Sequence, residues 1–159
     1  MTKKIVLLCG ERDSGKTKTL RELFNLRSYQ RIGRITINNK IICVVGLGSP
    51  QEKEEFCHVK DVKDNIKKRI KYCERQFGND FVLVIPFSIY KKRDGRTNEN
   101  CIIKPIEWLK SLYSVHIIYL RIVNYADLIM EKITTNEIRS RRDYIRQAEE
   151  LKQFIKKLL

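Results

Sequence analysis

The chain has 159 residues, of which 42% are hydrophobic and 33% charged. That is long enough for a core without disulfide or metal staples, and too apolar for a disordered chain. With 33 Lys and Arg against 19 Asp and Glu, the net charge is +14. No stretch approaches the ~20 apolar residues of a membrane span. A cytoplasmic protein with one domain over residues 1–159 is expected. The charge suits an acidic partner or nucleic acid beyond any small anion, or reflects nothing more than a basic composition.

Residues 4–9 are a short apolar run, the pattern of a strand buried on both faces. Gly10-Glu11-Arg12-Asp13-Ser14-Gly15-Lys16-Thr17 follows, and residues 15–27 then carry Leu20, Leu23 and Phe24 at helical spacing. Ile32, Ile35 and Ile37 precede Asn38-Asn39, and Ile41 to Val45 follow it. Asn tolerates positive φ, so these runs predict an antiparallel hairpin whose second strand is the more buried. Gly46-Leu47-Gly48-Ser49-Pro50 reads as a loop.

A long helix follows, with Val59, Val62, Ile66, Ile70, Cys73 and Phe77 on one face and Lys60, Lys63, Lys67, Lys68 and Lys71 on the other. Gly78-Asn79-Asp80 should stop it. Residues 81–87 are the most apolar run and predict a central strand with Pro86 at its end. Pro105 suits the first turn of a helix that continues through Ile106, Leu109 and Leu112. Residues 115–123 predict a strand. From Asp127 onward the pattern is helical, with capping-box spacing at Thr134–Glu137 and no sixth strand expected. Together these elements predict an α/β layered sheet of about five strands. The sheet should be mostly parallel, with one antiparallel hairpin strand and helices on both faces.

The five cysteines are odd in number and include no C-x-x-C pair. They are expected to be reduced and buried. Cys57-His58 alone is too little for a metal site.

Gly10-x-x-x-x-Gly15-Lys16-Thr17 is a phosphate-loop pattern, and each residue type has a physical task. The glycines let the backbone turn tightly and approach phosphates closely. The N–H groups of Glu11, Arg12, Asp13 and Ser14 form an anion nest, with the helix dipole behind it. Lys16 should reach the β- and γ-phosphates, and the Thr17 hydroxyl should ligate Mg²⁺. On these residues and their strand–loop–helix setting the chain resembles the P-loop NTPase superfamily. The resemblance implies a three-layer sheet, ATP or GTP with Mg²⁺, and catalysis centred on Lys16.

The order of elements is similar to that of the small GTPases. Gly46 to Glu52 occupies the place of that family's Asp-x-x-Gly-Gln, without the Asp, so Gln51 either orients a water or belongs to a solvated loop. Asn124-Tyr125-Ala126-Asp127 stands where the base-reading Asn-Lys-x-Asp would be, without the Lys. Asn124 and Asp127 either bind the base or cap the following helix. Small P-loop kinases are the second comparison, through Arg139, Arg141, Arg142 and Arg146, which also read as a solvated helix face. In both comparisons the metal-side carboxylate is missing: the central strand ends near Ser88, and Asp13, Glu52 and Asp127 are the acids at hand. The expected function is a slow NTPase or nucleotide-dependent switch, with a phosphotransferase as alternative. A nucleic-acid-associated NTPase ranks last, because the basic runs at 63–71 and 91–96 show no interleaved aromatics.

Overall fold

A computed structural model describes residues 3–10, 15–51, 57–89, 99–120, 131–132 and 141–159. The elements in chain order are β1 (Lys4–Gly10), α1 (Lys16–Leu23), β2 (Ile32–Ile37), β3 (Lys40–Val45) and α2 (Val59–Phe77). They continue with β4 (Phe81–Ser88), α3 (Glu99–Leu112), β5 (Ser114–Tyr119), β6 (Glu131–Lys132) and α4 (Arg141–Leu158). The strands form one mixed sheet in the order β2-β3-β4-β1-β5-β6. Among the described strands only the β2–β3 pair is antiparallel.

The period of two along each strand divides the core into two sets. Ile5, Leu7 and Cys9 of β1 and Leu83, Ile85 and Phe87 of β4 pack with Val62, Ile66 and Ile70 of α2 and Ile102, Ile106 and Leu109 of α3. Val6 and Leu8 of β1 and Val82 and Val84 of β4 pack with Leu20, Leu23 and Phe24 and with Leu151 and Ile155 of α4. Helices therefore cover both faces: α2 and α3 one, α1 and α4 the other. Gln147 of α4 donates to the buried Thr19 hydroxyl of α1 at 2.7 Å, which ties that second pair together.

The hairpin forms as its sequence requires. Asn38 and Asn39 have φ of 50° and 63°, the double positive-φ turn that matches strand twist. β3 is more buried than β2. Gly33 on β2 is there for space: a Cβ would lie 2.7 Å from Cβ of Phe24, at the end of α1. α2 stops at Gly78, whose φ is 73°.

Several expectations are corrected. Pro105 lies inside α3, which begins at Glu99, and not in its first turn. A short sixth strand exists: Glu131 and Lys132 pair in parallel with Ile118 and Tyr119. The chain is thus not helical from Asp127 onward, and α4 begins only at Arg141. Thr134–Glu137 and residues 121–123 lie outside the described residues. The cysteines are not all reduced: Cys57 and Cys101 are joined by a disulfide, with Cα atoms 6.4 Å apart. Neighbouring α2 and α3 bring them together, because Cys57 stands just before α2 and Cys101 near the start of α3. Cys9, Cys43 and Cys73 are free and buried. No helix among the described residues is long and apolar enough to cross a membrane.

Candidate functional site

In an open parallel sheet, ligands bind outside the carboxyl ends of the strands, where neighbouring strands send their chains to opposite faces. That condition holds between β1 and β4. β1 leads to α1 on one face, and β4 leads to α3 on the other. The two strand ends meet directly, since the Ile89 N–H donates to the Gly10 carbonyl at 3.1 Å.

Gly10, Gly15, Lys16 and Thr17 are brought to this point. The Lys16 ammonium donates back to the Gly10 carbonyl at 2.8 Å, so the side chain spans from the start of α1 to the end of β1. Gly15 has φ of 90° and ψ of 17°, a left-handed conformation that costs glycine little and a side-chain-bearing residue more. Its carbonyl opens the helix by accepting from Thr19 N–H at 2.9 Å. α1 has no side-chain cap and no acidic residue in its first turn. Glu11, Arg12, Asp13 and Ser14, the body of the expected loop, lie outside the described residues, as do Asn124, Asp127 and Glu52.

Cys9 sits beneath the site, fully buried. Burial pushes its thiol up to about 12, against the opposing pull of the Lys16 charge. It is a neutral, inert group.

The loop after β3 reaches the same place. The exposed Thr17 hydroxyl donates to the Leu47 carbonyl at 3.3 Å. Arg69 of α2, only 8% exposed, holds this loop from the other side. Its guanidinium donates to the Gly48 carbonyl at 2.7 Å and to Asn65 Oδ1 at 2.8 Å. The guanidinium also lies against Gly46, whose φ is +88°. Ser49 and Ser88 share a hydroxyl hydrogen bond of 2.7 Å.

Gln51 is 2% exposed and is not part of a solvated loop. Its Oε1 accepts from Ser88 N–H at 3.2 Å, and its Nε2 donates to the Ser88 carbonyl at 3.0 Å and the Cys101 carbonyl at 3.3 Å. One vacancy that it fills is left where the β3–β4 ladder ends, and the other is made by a proline. β3 pairs with β4 only as far as Val44 and Val84, so beyond that point the β4 edge is open on this side. Pro86 points its missing N–H there, and Ser88, two residues on, finds Gln51 in place of a strand. Pro105 in turn cannot donate to the carbonyl four residues back, which is that of Cys101. The Gln51 amide is thus engaged at both ends, and orienting a water would require it to give up these bonds.

Of the arginines compared with a kinase lid, Arg141 and Arg142 open α4, Arg146 is exposed one turn later, and Arg139 lies outside the described residues. The Lys18 ammonium lies 5.1 Å from the Tyr144 ring centroid, which sets the first turns of α4 beside the first turn of α1. Sequence reasoning missed Arg69. The available signal was its helical position, three residues after Ile66 and four before Cys73, on the apolar face of α2.

Comparison with protein-family models, curated proteins and solved structures gives no match. Function therefore has to be read from the site itself.

Proposed function

We propose that residues 10–17 bind the triphosphate of ATP or GTP with Mg²⁺, on a three-layer sheet of the P-loop NTPase kind. The chain then acts as a slow NTPase or nucleotide-dependent switch. The observation that carries this reading is Lys16 folded onto the Gly10 carbonyl at 2.8 Å, at the uncapped start of α1. A bond from an ammonium to a neutral carbonyl is one that phosphate oxygens can replace, since charge-assisted hydrogen bonds to an anion are about twice as strong. Helix N–H groups without a cap supply the remaining donors.

The Thr17 hydroxyl suits one Mg²⁺ position: it donates to Leu47, and its lone pairs stay available. No group of three or more His, Cys, Asp or Glu is gathered among the described residues. Mg²⁺ is commonly bound by one or two protein oxygens plus phosphates and water, so Thr17 with the nucleotide is a workable set. When bound, the ion would neutralise charge on the β- and γ-phosphates. Turnover should be slow, because Gln51 is tied to backbone. The switch reading rests on the Thr17–Leu47 bond, which links the phosphate side to the loop after β3.

Two measurements test this. Thermal unfolding with Mg²⁺ and either nucleotide should show a rise in Tm, because a ligand of the folded state stabilises it by mass action. Phosphate release should be slow and lost in Lys16→Ala. No shift with either nucleotide would defeat the proposal.

A further inference from the structure

The outer face of α2 carries Lys60, Lys63, Lys67 and Lys71, spaced three or four residues apart. They form one stripe about 16 Å long at the ordinary helical rise. Lys60, Lys67 and Lys71 are exposed and Lys63 is half-buried. None of them is in either ion pair of the described residues, which are Lys3–Glu74 and Lys40–Asp80. Beside the stripe, on α3, lies Trp108, half-buried at the seam of the two helices. The Lys63 and Lys67 ammonium groups stand 5.8 Å and 5.5 Å from its ring centroid.

The basic run lacks interleaved aromatics along the chain, yet packing of α3 on α2 inserts one. This is the combination that single-stranded nucleic acid needs: a row of cations for the backbone and an aromatic face for a base. We propose that the α2–α3 face binds single-stranded nucleic acid, with phosphates along the lysine stripe and a base stacked on Trp108. Lys63 and Lys67 turn from the indole to phosphates as the base arrives. The net charge of +14 favours such a partner at long range.

An anionic membrane fits this face less well. Interfacial helices need a continuous exposed apolar stripe. Here α2 exposes no large apolar side chain, and α3 exposes one, Leu112 at 57%. The proposal does not depend on nucleotide binding at Lys16.

Trp108 is the sole tryptophan, so its fluorescence reports on the site directly. Titrating the full chain with an oligothymidylate of about 20 nucleotides at low salt should quench that emission. The logarithm of affinity should fall with the logarithm of salt at a slope near −3, for about four phosphates contacted on a single strand. Lys67→Glu with Lys71→Glu should weaken binding more than tenfold, read by anisotropy of a labelled oligomer. Trp108→Phe should weaken it severalfold and Trp108→Ala more, with circular dichroism confirming the fold. Lys152→Glu with Lys156→Glu, the same charge change on exposed positions of α4, should have a much smaller effect. Three results would overturn the proposal: no binding at low salt, equal weakening by the two double variants, or binding without a change in Trp108 emission. Vesicles of phosphatidylserine and phosphatidylcholine that bind the chain and are not displaced by the oligomer would assign the face to membrane instead.

Discussion

The two sides of the candidate site are built differently. On the β3–β4–α3 side, side chains hold the backbone in place: Gln51 serves Ser88 and Cys101, Arg69 holds Gly48, and a disulfide joins Cys57 to Cys101. On the β1–α1 side, Thr17 is exposed with a bond of 3.3 Å to Leu47, α1 starts without a side-chain cap, and Lys16 donates to the Gly10 carbonyl at 2.8 Å. The first side is tied together by protein bonds; the second carries the groups that the proposed ligand would engage. A binding site needs both, because a ligand gains most from groups already held in place.

That contrast can be broken from either side. The largest effect should come from reducing the Cys57–Cys101 disulfide. It closes a loop with 44 residues of separation, and the chain-entropy account gives about 4 kcal/mol of unfolding free energy. Denaturant titration with and without a dithiol reductant measures it; an unchanged midpoint would show that the bond does not tie these elements. Gln51→Leu should follow, at about 3 kcal/mol, because it leaves buried polar groups of Ser88 and Cys101 unpaired. If Gln51 acts only on water, the variant will keep full stability and lose turnover alone.

Lys16→Ala should do the reverse. Stability should stay within about 0.5 kcal/mol, as for a surface change, and nucleotide affinity should fall at least tenfold. The smallest effect belongs to Asp80, whose carboxylate is held below its ordinary value chiefly by the hydrogen bond from Lys40. A depressed carboxylate stabilises the fold above the unfolded pKa, about 4, and that contribution fades as pH falls through the lowered value. The pair is exposed, so Asp80→Asn should shift Tm slightly at pH 7, less in high salt, and not at all once the carboxylate is protonated.

Much of this architecture was legible in the chain. The apolar run of β1, the Asn38-Asn39 turn and the stop at Gly78 are local decisions, made by residues adjacent in sequence. The two prolines were harder. Pro105 reads as a helix start because a mid-helix proline normally orphans a carbonyl, and only the fold reveals that Gln51 satisfies it from 50 residues away. Gln51 stands in polar surroundings in the sequence and is buried by tertiary packing, which hydrophobic periodicity does not register; Arg69 lies on the apolar face of α2, but its charge reads as solvated. The Cys57–Cys101 pairing and the approach of Trp108 to Lys63 and Lys67 likewise arise from α2 lying beside α3. Gly10, Gly15, Lys16 and Thr17, the residues of the proposed phosphate site, stand out in the sequence because phosphate chemistry would demand short-range spacing.

The most direct test of the central claim is isothermal titration of Mg·ATP and Mg·GTP into the full chain and into Lys16→Ala. Saturable one-to-one binding of at least one nucleotide, weakened tenfold or more by the substitution while circular dichroism is unchanged, is the expected result. No binding of either nucleotide, or equal affinity in both chains, would contradict it.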